Sequence, residues 1–134
     1  MKEEKIFLTK LEFLHPMLDW VHKACTSLVF TKREESELDI CLEEVFMNLI
    51  KHASQKKELE IVITLNIDPG KIEVTFTDKG EPFNPLEKEL HPDIEKGEGV
   101  GLVLIRKICK HIDYQRVQNE NRLILIKEKI AHEK

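Results

Sequence analysis

Three glycines at alternate positions, followed at once by an apolar helical pattern, most strongly limit how this chain can fold. Gly97, Gly99 and Gly101 lead into the apolar residues 102–105. Glycine permits positive φ and a close approach of the backbone to a ligand, and the first amides of a helix are unpaired donors at the positive end of its dipole. The segment predicts a phosphate-binding turn, although an ordinary helix entry has the same pattern.

Composition and charge define the class of protein. The 134 residues are 41% hydrophobic and 34% charged, which predicts a single domain with a buried core over residues 1–134. The net charge of −4 and the lack of a basic stripe argue against direct nucleic-acid binding. No apolar run approaches the roughly 18 residues of a membrane span, and no signal core follows the N-terminus. We therefore expect a cytoplasmic protein without membrane contact.

Periodicity predicts both helices and strands. The expected helices cover about residues 15–30, 34–54 and 100–112. The expected strands cover about residues 6–9, 61–67, 72–76, 114–117 and 122–127. Residues 81–98 hold three prolines and several charges, so we expect a lid loop there. Together the elements predict an α/β (α+β) two-layer sandwich: a mixed, mainly antiparallel sheet with helices on one face, the other face meeting water or a partner.

A polar stripe runs along the long predicted helix. Glu44, Asn48 and His52 follow one another at i+4 spacing, beside the apolar face. An amide oxygen is a suitable ligand for Mg²⁺, and a carboxylate can act as a base toward a hydroxyl or water. Taken alone, the same spacing also fits an ordinary solvated helix face.

A second polar segment follows the strand that is predicted before the lid loop. Asp78 closes that strand, Gly80 comes two residues later and Phe83 three residues after that. A carboxylate at a strand end can accept a hydrogen bond from the adenine amine, and a neighbouring glycine leaves room for a flat ring. Asp-x-Gly is also common turn chemistry. The order of stripe, strand-end aspartate, loop and glycine run indicates a joint site for ATP and a metal.

These segments resemble motifs of the histidine-kinase-like ATPases, the GHKL superfamily with the Bergerat ATP-binding fold. Leu42–Ala53 is similar to the N-box of that superfamily, Asp78–Pro85 to its first glycine box and Gly97–Ile105 to its second. The compact chain, the sequence Pro-Phe-Asn-Pro at 82–85 and the ending Asn121–Leu123 resemble, more narrowly, the bacterial anti-sigma factor serine/threonine kinases.

The resemblance implies roles for individual residues. Asn48 would hold Mg²⁺ and Glu44 would be the general base, while Asp78 would read adenine with Gly80 beside it. The remaining expected nucleotide contacts lie on the polar stripe, in the loop and at the start of helix three: His52, Phe83, Lys96, Gly97, Gly99, Val100, Gly101 and Leu102. The resemblance further implies a homodimer that phosphorylates a serine of a small antagonist protein and binds a sigma factor as the alternative partner.

One departure from the family pattern keeps a second interpretation open. Relatives often carry an arginine directly before the Gly-x-Gly, where it can contact the terminal phosphate, whereas this chain has Glu98 at that position and only Lys96 nearby. A missing cation would weaken phosphoryl transfer, unless Lys96 substitutes for it. The alternative is a regulatory module that binds nucleotide and sequesters a protein partner without catalysis. A sensor-kinase half or an autonomous ATPase is less expected, since neither a phosphoacceptor helix pair nor a coupling domain is evident.

Overall fold

A five-stranded antiparallel sheet forms one layer of the protein. The computed structural model describes residues 1–53, 58–86, 100–109 and 111–130. The strands, in chain order, are β1 (Lys2–Leu8), β2 (Glu60–Asp68), β3 (Lys71–Asp78), β4 (His111–Val117) and β5 (Glu120–Glu128). Their order across the sheet is β1-β2-β3-β5-β4, and each neighbouring pair is antiparallel.

Three α-helices in the described part of the chain form the second layer. They are α1 (Leu14–Ala24), α2 (Lys32–Ala53) and α3 (Val100–Ile108), and short 3-10 turns precede and follow α1. A reciprocal capping box starts α2: Thr31 Oγ1 accepts from the Glu34 N–H at 3.1 Å, and Glu34 Oε1 accepts from the Thr31 N–H at 3.0 Å. None of the helices within these residues is long and apolar enough to cross a lipid bilayer.

The hydrophobic core lies between the two layers. Alternate residues of β2, β3 and β5 point inward, and the apolar faces of α1 and α2 cover them. The fully buried large side chains come from both layers: Phe46, Phe76, Met17, Leu28, Leu38, Leu42, Ile61, Ile63, Leu65, Ile72 and Ile105. Burying such side chains is the main favourable term in folding. The polar stripe of α2 lies at the margin of this core.

The two-layer architecture is confirmed, but the sheet is not mixed. The crossover from β3 through α3 brings β4 back in the same direction as β3, as in a βαβ unit. The hairpin then returns β5 into the gap between them, so β5 pairs antiparallel with both neighbours. This insertion explains why a helical crossover produces no parallel pairing among the described strands.

Several predicted boundaries were wrong. The first helix ends at Ala24 rather than near residue 30, because a 3-10 turn follows and Val29 then adopts a φ of 51°. The third helix ends at Ile108, and β4 begins at His111 within the range predicted as helical. β1 is longer than predicted, since its polar residues pair with β2 along the sheet edge. The long helix and the central hairpin are confirmed within one or two residues.

The last hairpin also differs from the prediction in one consequential way. Its turn consists of Gln118 and Asn119, with φ of 49° and 65°, rather than of residues 118–121. Two central residues with positive φ match the twist of a two-residue hairpin. Asn121 therefore lies within β5, where it is 4% exposed, rather than in a solvent-exposed turn.

Candidate nucleotide-binding site

The first residue of the polar stripe on α2, Glu44, contacts the N-terminal turn of α3. A Cβ built on Gly101 would lie 2.1 Å from Glu44 Cδ and Oε1, so the Glu44 carboxyl group packs directly against the Gly101 backbone. Gly101 lies in the first turn of α3, where unpaired amides and the helix dipole favour a negative group. The structure thus brings together two predicted site residues that are 57 positions apart in the sequence.

The other end of the stripe reaches the loop after β3. The rings of His52 and Phe83 are stacked, with centroids 4.1 Å apart and planes 6° from parallel. Asn48 lies on the same face of α2, one helical turn from Glu44 and one from His52, and is half-buried. The three residues of the stripe therefore form one edge of a site whose two ends contact different segments of the chain.

Asp78 is confirmed as the last residue of β3, and it is 5% exposed. Its Oδ1 accepts a hydrogen bond of 2.9 Å from the Gly80 N–H, which closes a tight turn. A Cβ at Gly80 would lie 2.8 Å from Leu59 Cδ1 and 3.0 Å from Asp78 Oδ1, so a side chain fits in this turn only if these neighbours shift. Local packing therefore favours glycine at position 80, in addition to the predicted role of Gly80 beside a base.

A buried amide that the sequence reasoning did not assign to the site organises this turn. Asn121 Nδ2 donates to Asp78 Oδ1 at 3.0 Å and to the Glu81 carbonyl oxygen at 2.8 Å. Asn121 Oδ1 accepts from the Phe83 N–H at 3.2 Å. One side chain thus links the strand-end carboxylate to the loop that carries Phe83.

Two residues on β4 complete the network around Asn121. The Tyr114 hydroxyl donates a hydrogen bond to Asn121 Oδ1. Arg116 Nη1 donates to the same oxygen at 3.2 Å and to the Gly80 carbonyl oxygen at 2.7 Å. These donors fix the amide orientation of Asn121, because an oxygen that receives several donors cannot be exchanged for an NH₂ group.

Within the described part of the chain, this network uses only one oxygen of Asp78. Oδ1 accepts both hydrogen bonds, and Oδ2 has no hydrogen-bond partner. A free acceptor on a side chain that is otherwise held in place is suited to a ligand amine.

The remaining predicted site residues are only partly described. Lys96, Gly97 and Gly99 lie outside the described residues, as does Glu98 and most of the predicted lid loop, from residue 87 onward. Val100 and Leu102 belong to the first turn of α3, and only their backbone is described.

The sequence contains Asn121 in a group of polar residues, and that group was interpreted as a turn. Gln118-Asn119-Glu120-Asn121 contains typical turn residues, and only the register of β5 shows that the fourth of them points inward. No sequence pattern predicts the contacts of Tyr114 and Arg116 with Asn121, because these contacts depend on the pairing of β4 with β5.

Comparison with known proteins agrees with this architecture. Residues 7–127 match the sequence profile of the histidine kinase-like ATPase domain. The chain is also 28% identical over 92 residues to the Detocs histidine-protein kinase DtcA of Enterobacter cloacae (strain JD6301). That similarity covers 66% of this chain and 8% of the much longer relative. The chain therefore belongs to the histidine kinase-like ATPase domain family.

Proposed function

We propose that this domain binds ATP with Mg²⁺ along the polar stripe of α2. The observation that carries the proposal is that α2 contacts both other motif segments, with Glu44 against Gly101 and His52 stacked on Phe83. Glu44 and His52 are eight positions apart, which corresponds to about 12 Å along a helix axis. A nucleotide lying along the stripe can have its base near Asp78 and its phosphates near the start of α3.

Asp78 is proposed to recognise the base. Its Oδ1 is occupied by the Gly80 N–H and by Asn121 Nδ2, so Oδ2 is the oxygen that can accept a hydrogen bond from an exocyclic amine. Adenine offers such an amine at the edge where guanine carries a carbonyl oxygen, which would face the carboxylate as a second acceptor. This arrangement supports a preference for adenine nucleotides.

Asn48 and Glu44 are proposed to act at the phosphates. The amide oxygen of Asn48 is a hard ligand of the kind that Mg²⁺ accepts beside phosphate oxygens and water. Bound Mg²⁺ would supply charge stabilisation during phosphoryl transfer. The Glu44 carboxylate would take the proton of an attacking hydroxyl, and the first-turn amides of α3 would hold phosphate oxygens.

We further propose that the domain is a serine/threonine protein kinase in a partner-switching system. In this proposal it phosphorylates a small antagonist protein, binds a sigma factor as the alternative partner and acts as a homodimer. The support is the resemblance of Asp78–Pro85 and of Asn121–Leu123 to anti-sigma factor kinases, together with a carboxylate at Glu44 that binding alone would not require.

Two alternative activities of the domain are each supported by one observation. The relative from Enterobacter cloacae is a histidine-protein kinase, which favours a histidine as the phosphoryl acceptor. Glu98, in a position where a cation would assist transfer, favours a module that binds nucleotide without catalysis. The proposed nucleotide site is common to all three activities, whereas the acceptor distinguishes them.

Substitution of Asp78 by asparagine tests nucleotide binding. The new amide can keep its oxygen toward Gly80 and Asn121 and place NH₂ at the position of Oδ2, so the fold is retained while a donor faces the adenine amine. We expect ATP affinity, measured by calorimetry with Mg²⁺, to fall at least tenfold, which is about 1.4 kcal/mol. Asp68→Asn is a matched control, because Asp68 Oδ1 also accepts from a glycine N–H two residues later, in an exposed turn. Absence of ATP binding by the wild-type chain would refute the proposal.

The acceptor is identified by phosphorylation with labelled ATP. We expect transfer to a candidate antagonist, for example one encoded beside this gene, and loss of transfer in Glu44→Gln with ATP affinity retained. A phosphoserine survives acid treatment, whereas a phosphohistidine is hydrolysed by acid. Acid-labile label would favour the histidine-kinase alternative, and tight ATP binding without any transfer would favour the non-catalytic module.

A further inference from the structure

Two buried thiols that the proposed nucleotide site does not use lie next to each other between α2 and the end of α3. Cys41 Sγ and Cys109 Sγ are 3.4 Å apart, and the side chains are 0% and 1% exposed. Cys41 faces the core from α2, and Cys109 directly follows α3, where its N–H donates to the Ile105 carbonyl oxygen at 2.7 Å. The contact therefore joins α2 to the residue that follows α3, and the two cysteines are 68 positions apart in the sequence.

An ion pair between a buried lysine and a partly exposed glutamate lies beside the thiols. Lys127 Nζ on β5 is 3.5 Å from Glu37 Oε1 on α2, one helical turn before Cys41, and the lysine side chain is 5% exposed. The positive charge of Lys127 lowers the pKa of both thiols, and the negative charge of Glu37 raises it. Glu37, Lys127 and Ile108, the residue before Cys109, line a cavity of about 480 Å³. A small polar molecule that entered this cavity would lie next to residues that surround the thiol pair.

The two thiols differ in acidity because one donates to the other. The hydrogen bond with Cys41 lowers the pKa of Cys109, burial opposes that effect and the positive charge of Lys127 adds to it. The same hydrogen bond raises the pKa of Cys41, and burial raises it further. Cys109 is thus the better thiolate of the pair, and the thiolate is the reactive form.

We propose that Cys41 and Cys109 form an oxidative modification site, at which a peroxide converts the thiol pair into a disulfide between α2 and the residue after α3. The Cys109 thiolate attacks one peroxide oxygen, the O–O bond breaks, and a sulfenic acid and a hydroxide form; the hydroxide takes up the proton that the Cys109 thiol had lost and becomes water. Cys41 sulfur then attacks Cys109 sulfur, the S–O bond breaks, and the hydroxide leaves as water with the Cys41 proton. In sum, two thiols are oxidised and one hydrogen peroxide is reduced to two waters.

The geometry requires only a small approach of the two sulfurs. A disulfide has an S–S distance of about 2.05 Å, so a contact of 3.4 Å must close by about 1.4 Å. The bond would close a loop that contains β2, β3 and α3. A cross-link over such a long loop restricts the unfolded chain and raises the melting temperature when the native geometry accepts it.

The test uses the reduced, folded chain and hydrogen peroxide, without nucleotide, so its result is independent of the proposed ATP site. We expect a loss of two hydrogens, about 2 Da, a peptide in which Cys41 is linked to Cys109, and full reversal by dithiothreitol. The linked form should melt about 5–10 °C above the reduced form. Differential alkylation of the wild-type chain gives the same readout without any variant.

Matched variants assign the bond. Cys25→Ala should retain the 2 Da loss, whereas Cys41→Ala and Cys109→Ala, with folding checked by circular dichroism, should lose it. The proposal would be overturned if peroxide oxidised only Cys25, if it gave only over-oxidised or intermolecular products, if the link formed only in denaturant, or if the linked form melted no higher than the reduced one.

Discussion

Asn121 and Asp78 are direct partners across β3 and β5, and the amide of Asn121 determines which oxygen of Asp78 is free. Asn121 Nδ2 and the Gly80 N–H both bind Oδ1. Since Tyr114 and Arg116 fix the orientation of the amide, the position of Oδ2 is defined before a ligand arrives. Such preorganisation reduces the ordering cost of binding.

Asn121→Asp should weaken ATP binding in a pH-dependent way. The introduced carboxyl group places an oxygen against two acceptors, Asp78 Oδ1 and the Glu81 carbonyl, and restores a donor only when it is protonated. We expect the Kd for ATP to rise roughly tenfold to a hundredfold at pH 8 and to recover partly at pH 5.5. Calorimetry at both pH values measures this. Asn66→Asp, at an exposed position of β2, is the control, and an equal loss at both pH values would contradict the role of the amide.

Gly101→Ala should affect activity more than stability. The added Cβ would meet the Glu44 carboxyl, which is the end of a flexible side chain and can move aside, while alanine favours the helix by up to about 1 kcal/mol. We therefore expect a nearly unchanged melting temperature and a loss of phosphoryl transfer of about tenfold or more.

A double-mutant cycle isolates the contact between Gly101 and Glu44. In the Glu44→Ala background the carboxyl group is gone, so Gly101→Ala should have little further effect on residual transfer. Additive losses in the double variant would show that the two residues act independently.

His52→Ala should loosen the loop that carries Phe83. The stacked rings contribute about 0.5–1.5 kcal/mol beyond their buried area, and they tie the loop to α2. We expect weaker ATP binding, by about threefold to tenfold, with partial rescue in His52→Phe, which can still stack. Titration of ATP measures the effect, and His15→Ala on the exposed side of α1 serves as the control. No rescue by phenylalanine would argue against stacking as the cause.

Stability should fall at alkaline pH because of Cys25. Burial, with smaller contributions from Glu35 and Glu3, raises the pKa of this thiol from 9.0 to about 12. Between these values the unfolded state loses the proton while the folded state keeps it, so the free energy of unfolding decreases as the pH rises above 9. We expect a loss of about 1.4 kcal/mol at pH 10 relative to pH 8 from this group.

Urea unfolding of wild type and Cys25→Ala at the two pH values checks this sign. Other groups also titrate in this range, so the expected result is a smaller loss in the variant than in the wild type. An equal loss in both proteins would assign the alkaline sensitivity to other residues.

Elements with strong local signals could be predicted from the sequence. The 3.6-residue rhythm of α2 and the alternation of β2 and β3 locate these elements within two residues, and Asp78 was correctly expected at a strand end. These features depend on nearest neighbours along the chain, so a single sequence contains them.

The start of β4 and the inward orientation of Asn121 could not be predicted, because both depend on how the strands pair in the folded protein. Residues 111 and 112 lie in the range predicted as helical, yet they pair with β5, because the sheet offers them hydrogen bonds and gives Ile112 a place against the core. The inward orientation of Asn121 likewise depends on which residues form the hairpin turn. Neither feature is fixed by local propensity. The roles of Glu44, Asn48 and Asp78 remain predictions.

The two-residue turn at Gln118 and Asn119 makes the length of the last hairpin as important as its composition. Insertion or deletion of a single residue there would exchange the faces of β5, turning Asn121 toward the open side and Arg122 toward the interior. We therefore expect natural variants of this domain to tolerate substitutions at the hairpin tip but not changes in its length. In the proposed site, the length of this hairpin would therefore determine which side chain faces Asp78, and with it the preference for a base.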